Sequence, residues 1–171
     1  MINEIVEANK EVNRQANKES PEKNIIKIRT AASSDYDDWC LLWNNYQVFY
    51  KVKLSDEVTN TTWKRLLDPN EPMHLALAEV DGKVVGFTHY IEHRTTWAIN
   101  YSVYLQDLYV FDNLRGRKIG RALIEHVYEY GKKIGTSKVH WLTHNTNSQA
   151  IILYDKVATK SGYIQYLKTD F

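Results

Sequence analysis

Asp81-Gly82 stands between two apolar runs, MHLALAEV and KVVGFTHYIEH, and no other short stretch restricts the fold as tightly. Two residues that both tolerate positive φ close a two-residue antiparallel hairpin, because that turn follows the right-handed twist of the strands it joins. A sheet containing such a hairpin is not wholly parallel. IIKIRTA (25–31) reads as an earlier strand, and SSDYDDWCLLWNNYQVFY sets Trp39, Leu42, Trp43, Tyr46 and Tyr50 at helical spacing behind Ser and Asp capping residues. Asp35, Asp37 and Asp38 suit the positive end of that helix. DEVTNTTWKRLLD predicts a second helix, stopped by Pro69. INYSVYLQDLYVF (99–111) is a long strand on which Tyr101, Val103, Leu105, Asp107 and Tyr109 share one face.

A helix to about Lys133 follows, with Ile119, Leu123, Val127 and Tyr130 as its buried stripe. KVHWLT (138–143) is a strand, NSQAIILYDKVATK a helix with Ala150, Leu153, Tyr154 and Val157 on one side, and YIQYLK a last strand. The order β-α-α-β-β-β-α-β-α-β predicts a single α/β domain over residues 25–171, a mixed sheet flanked by helices. Residues 1–24, rich in Asn, Lys and Glu, read as a polar N-terminal extension, frayed or packed on a partner subunit.

Charge is local here. The formal net charge is +1, which argues against a general nucleic-acid binder, yet LRGRKIGRAL (114–123) places Arg115, Arg117, Lys118 and Arg121 beside Gly116 and Gly120. No apolar run approaches the ~18 residues of a membrane span. The single cysteine, Cys40, excludes an intrachain disulfide and fits a reducing compartment. The opening MINEIVEANKEVNRQ lacks the apolar core of a secretory signal, so the expected location is cytoplasmic.

Basic residues are unfavourable at a helix N-terminus, so the cations of 114–123 need a reason. An anion supplies one: the first helical N–H groups have no internal partner, and glycine lets backbone close on a phosphate. The spacing from Gly116 to Gly120 matches neither the nucleotide-triphosphate loop nor the dinucleotide fingerprint. Basic "RGRK" could also touch nucleic acid, a remote rival at this net charge.

YLQDLYVFDNLRGRKIGRALIEHVYEYGKKIG closely resembles the central motif of the GNAT superfamily of acetyl-CoA-dependent N-acetyltransferases. The pattern (Gln/Arg)-x-x-Gly-x-(Gly/Ala) falls on Arg115-Gly116-Arg117-Lys118-Ile119-Gly120, with Lys118 in place of the fourth-position Gly. NSQAIILYDKVATKSGYIQY resembles the second motif, through Asn147, Ala150, Leu153, Tyr154, Gly162 and Tyr163. Several stretches look most like a branch that includes yeast enzymes acting on histone tails and polyamines.

The resemblance implies a GNAT-like, mostly antiparallel sheet and an acetyl-CoA cosubstrate without a metal. It implies that the amides of Leu108, Tyr109 and Val110 align the pantetheine arm and polarise the thioester. Residues 115–121, namely Arg115, Gly116, Arg117, Lys118, Ile119, Gly120 and Arg121, would hold the pyrophosphate, with Asn147 also on the coenzyme. Tyr154 would be the general acid toward sulfur. The implied reaction is direct attack, in a ternary complex, by a primary amine of a small molecule or basic peptide. A homodimer or higher homo-oligomer is the implied assembly.

A base must take the proton of the amine. Many relatives carry Glu where Gln106 stands; Asp107 is the adjacent carboxylate, on the opposite strand face, and is the favoured functional residue. His89, Glu92 and His93 in THYIEHR are further candidates, as is a water relay. Trp43, Tyr46, Tyr50 and Trp97 could wall a cation, although each reads more simply as core. Cys40 reads as a small packed residue rather than a nucleophile. The pairs His89/His93 and His140/His144 lack the helical context of a metal motif. Lys118 and Gln106, in place of expected residues, leave one alternative, a non-catalytic acetyl-CoA-binding module.

Overall fold

The computed structural model describes residues 25–169; the proposed extension over 1–24 lies outside them. Strand β1 (Ile26–Thr30) leads through a single 3-10 turn, Ser33–Asp35, into helix α1 (Tyr36–Phe49). Helix α2 (Asp56–Leu67) starts where Ser55 Oγ accepts the Val58 N–H at 3.2 Å. Asp56 and Glu57 in its first turn and Lys64 and Arg65 in its last complement the macrodipole, and the chain leaves the helix before Pro69. Strands β2 (Met73–Val80) and β3 (Lys83–His93) form the hairpin expected at Asp81-Gly82, with φ of +50° and +74° at the two turn residues.

Strand β4 (Ser102–Val110), helix α3 (Ile119–Ile134), the short strand β5 (Val139–His140) and helix α4 (Ser148–Val157) complete the order. The sheet runs β1-β2-β3-β4-β5, antiparallel except for the parallel β4–β5 pair. This is the mixed α/β architecture that the element order predicts, and it is mostly antiparallel as the resemblance implies. Helices α1 and α2 cover one face, where Trp39, Leu42, Trp43, Trp63 and Phe87 meet. Helix α3 covers the other, with Ile124 and Val127 against Ala76, Val103 and Leu105. No helix among the described residues is long and apolar enough to cross a membrane.

Two expectations change. YIQYLK does not form a strand: residues 158–169 have no regular structure, and Tyr163, Ile164, Tyr166 and Leu167 are exposed. A strand needs a paired edge, and the outermost strand offers only Val139 and His140. The shared face along 101–109 is also broken. Val103 and Leu105 pack toward α3, whereas Tyr109 packs toward α1 and Asp107 bonds to Tyr46 of α1. The cause is a bulge: His89 pairs with Asp107 and Tyr90 with Leu105, which leaves Gln106 without a partner and turns the alternation over.

Arg29 ties the first strand to the helical layer. Its guanidinium holds Asp35 through two bonds of 2.7 and 2.8 Å and Glu79 of β2 at 2.9 Å. Asp35 also accepts the Ala32 N–H at 2.7 Å, fixing the turn that launches α1. The Arg29 hydrogen bonds hold the Asp35 carboxyl below its ordinary range. A depressed folded-state value contributes stability above the unfolded value and loses it as pH falls through the folded one. Arg29→Met is expected to cost about 2 kcal/mol at neutral pH. In urea titrations its deficit against the parent should shrink below about pH 4, where Asp35 protonates in the unfolded chain; a deficit independent of pH would remove the charge from the explanation.

Candidate active site

Strands β4 and β5 pair only at Val103–Val139 and Tyr104–His140. Beyond Tyr104 they diverge, so the β5-facing edge of β4 over residues 105–110 has no strand partner. Backbone groups on such an edge remain open to a ligand. The gap widens into a cleft of about 530 Å³, walled by β4 on one side and by Trp141, Leu142 and α4 on the other. Leu108, Tyr109, Val110, Asn147 and Tyr154 all line it.

The chain leading into α3 and the start of that helix contribute Arg115, Gly116, Lys118, Ile119, Gly120 and Arg121 to the wall. No side chain caps this helix and no acidic residue sits in its first turn, so the leading amides keep their donors. Arg115 is steered by Asp112 at 2.5 Å and by Gln149 of α4 at 3.3 Å, and Arg121 pairs with Glu125 at 2.7 Å. Among the described residues Arg117 and Lys118 have no ion-pair partner. Arg117 is exposed and does not line the cleft, which separates it from the other coenzyme candidates.

Gly116 has φ +81° and Lys118 φ +68°. The Lys118 position is the one where the resemblance expects glycine, and its left-handed backbone supplies the physical reason for that preference. A Cβ on Gly120 would meet Leu153 Cδ2 at 3.5 Å and Val110 Cγ2 at 4.0 Å, ordinary contacts, in keeping with a position shared by Gly and Ala.

Helix α1 and the residue after it bring Tyr46, Phe49 and Tyr50 to the cleft, with the Arg115 guanidinium 5.2 Å from the centre of the Phe49 ring. Tyr46 Oη donates to Asp107 Oδ1 at 2.7 Å, and His89 Nδ1 lies 2.9 Å from Asp107 Oδ2. Trp39 Nε1–H in turn donates to His89 Nε2 at 2.9 Å. Burial, then the Asp107 charge, pushes the Tyr46 hydroxyl far above its ordinary range; Tyr50 and Tyr104 are raised for the same two reasons. Tyr154 is pushed up to about 12 by burial and by neighbouring Tyr50. Tyr50 therefore acts electrostatically on the candidate acid Tyr154 and is itself raised by the Asp107 charge.

The bulge that exposes Gln106 to the cleft turns Asp107 away from it, so Asp107 reaches the cleft wall only through Tyr46. Of the THYIEHR candidates, His89 alone joins Asp107. Glu92 faces α3, bonded to His74 at 2.9 Å and to Tyr130. His93 Nε2 meets His140 Nε2 at 3.0 Å near the short strand. No three His, Cys, Asp or Glu side chains converge among the described residues. Trp97 is 87% exposed and does not line the cleft, and Trp43 is buried in the core. Cys40 is half-buried against the aromatic core. Trp39 carries no sequence signal beyond an apolar helix position.

A sheet splayed beside an uncapped cationic helix start, with tyrosines on the gap, places an open backbone edge, an anion-suited helix start and proton-bearing hydroxyls in one cleft. The chain belongs to the acetyltransferase (GNAT) family, whose sequence pattern matches residues 36–158. It is 37% identical over 158 residues to the D-amino-acid N-acetyltransferase HPA3 of Saccharomyces cerevisiae, covering 90% of this chain and 98% of that protein. It is 29% identical over 140 residues to a mouse (Mus musculus) thialysine N-epsilon-acetyltransferase, covering 75% and 80% of the two chains. The aminoglycoside N-acetyltransferase AAC(6')-Iy in complex with CoA shares the fold with a TM-score of 0.75 at 16% identity, over 88% of this chain and 98% of that one.

The backbone at Lys118 generates a test. In an ordinary helical position alanine is more stable than glycine by ~1 kcal/mol. At φ +68° the order should invert, with Lys118→Gly more stable than Lys118→Ala by about 1 kcal/mol in denaturant unfolding. Alanine superior to glycine would contradict the left-handed geometry.

Proposed function

We propose that the protein transfers an acetyl group from acetyl-CoA to a primary amine of a small molecule, by direct attack in a ternary complex. The observation that carries this reading is the single cleft joining the cationic start of α3 to Tyr154 and to the Tyr46–Asp107 cluster. The residues present fit the coenzyme: uncapped helix amides with Arg115 and Lys118 for its pyrophosphate, and the unpaired edge at Leu108–Val110 for its pantetheine arm. Acetyl-CoA, when bound, supplies a thioester carbonyl as electrophile and a thiolate leaving group.

Tyr154 holds a proton on Oη throughout the neutral range, since its value lies near 12, and so can act as the acid toward sulfur. Asp107 accepts the proton of the incoming amine by way of Tyr46. The tyrosines at the α1 end suit a cationic acceptor. The yeast and mouse relatives are named for D-amino acids and thialysine, which makes amino-acid-like amines the first acceptors to try. The same reading takes 25–171 as the catalytic domain, acting in the cytoplasm. Exposed Tyr163, Ile164, Tyr166 and Leu167 support a homo-oligomer.

The direct test is thiol release from acetyl-CoA with separate pools of amino acids of both hands, polyamines, aminoglycosides and lysine-rich peptides. Release that depends on one amine pool is the expected result; acetyl-CoA binding with silence in every pool would favour a coenzyme-binding module. Tyr154→Phe should lower kcat about a hundredfold while coenzyme affinity, measured by calorimetry, stays within about threefold. Equal loss of both would count against the acid role. Arg115→Ala should instead weaken coenzyme binding about tenfold, the loss of one charge-assisted contact; unchanged affinity would take Arg115 out of the site.

A further inference from the structure

We propose that Trp39 and His89 are positioning residues that fix Asp107 as the end point of a proton path running through Tyr46, an inference that rests on the transferase reading above. The argument begins at the indole. Trp39 Nε1–H can only donate, and it meets His89 Nε2 at 2.9 Å, so that nitrogen must be the unprotonated one. The imidazole proton therefore sits on Nδ1 and is donated to Asp107 Oδ2 at 2.9 Å. Tyr46 donates to the other oxygen, Oδ1, at 2.7 Å. Asp107 thus accepts on both oxygens, as a carboxylate does.

The arrangement runs in one direction only. An imidazolium would set Nε2–H against the indole N–H, two donors face to face, where Trp39 is 0% and His89 2% exposed. Such a buried clash has no water to relieve it. His89 has no free lone pair and is therefore a brace rather than the base its place in the sequence suggests. The groups facing Asp107 are Tyr46 of α1 and Tyr50 just past its end, His89 from β3 and Tyr104 from its own strand.

With its own proton committed to Asp107, Tyr46 keeps oxygen lone pairs, which the neighbouring Tyr50 hydroxyl borders, and both residues form part of the cleft wall. An acceptor ammonium placed there gives one N–H proton to Tyr46 Oη as the Tyr46 proton passes to Asp107 Oδ1. One N–H bond and one O–H bond break, and two O–H bonds form. The amine gains its lone pair and Asp107 becomes neutral.

Two substitutions separate this role from simple packing. The amide nitrogen of asparagine falls near the place of His Nδ1, so His89→Asn keeps a donor for Asp107 and gives up the Trp39 partner. Glutamine reaches the place of Nε2, so His89→Gln keeps the Trp39 partner and gives up the donor. We expect kcat to fall about threefold in His89→Asn and about thirtyfold in His89→Gln, with equal acetyl-CoA affinity in the two. Long-range proton–nitrogen NMR on the parent protein, assigned by the signal lost in His89→Gln, should find the His89 proton on Nδ1. A proton on Nε2, or equal loss of kcat in both variants, overturns the inference while leaving the transferase reading intact. A parent protein that binds acetyl-CoA but acetylates no amine overturns the transferase reading and this proposal with it.

Discussion

The separation of β4 from β5 after Tyr104 is the constraint on which the other features depend. Two paired residues hold the strands together, and the bulge at Gln106 lies just past the last pair. An extended chain whose hydrogen-bonding edge has lost its partner must find another, and here the exposed edge borders a cleft rather than a neighbouring strand. The helix that follows β4 then begins at that cleft. Its first amides have no side-chain cap, and Arg115, Lys118 and Arg121 stand beside them, the two features that suit a helix start to an anion. Lys118 accepts a left-handed backbone at this point, so the local geometry is kept even where the side chain is poorly suited to it.

The bulge also divides the labour of β4. Before it, Val103 and Leu105 belong to the hydrophobic layer under α3; after it, Asp107 and Tyr109 belong to the aromatic layer under α1. That reversal delivers a carboxylate into a layer otherwise built from tryptophan, tyrosine and phenylalanine. A charge so placed requires hydrogen-bond partners. His89 and Tyr46 supply them from two different elements, and Trp39 completes the chain. The polar network is thereby connected from the core to the cleft wall, and the aromatic helix α1 serves both core and site.

Much of this was legible in the sequence. Asp81-Gly82 gave away the hairpin, and the sequence identified α1, α2, α3 and α4 as helices flanking the sheet. Arg115, Gly116, Lys118, Gly120 and Arg121 stood out as a cationic, glycine-bearing helix start, and all of them line the cleft. Tyr154 and Asn147 follow from the resemblance and line it too. Arg117 fits its motif by type and position, and Trp97 is an aromatic that could wall a cation, yet both side chains lie outside the cleft. Neither position carries a signal that distinguishes solvent from cleft.

The sequence by itself determined the four helices, the central strands and where the hairpin turns, because each depends on residues close together along the chain. Tertiary structure alone decided which face Asp107 takes, that His89 is a brace between Trp39 and Asp107, and that YIQYLK stays unpaired. A bulge exists only relative to the strand opposite it, a tautomer only relative to the donor it meets, and a strand only relative to an edge. Periodicity counts residues within one segment and contains no information about the partner across the sheet.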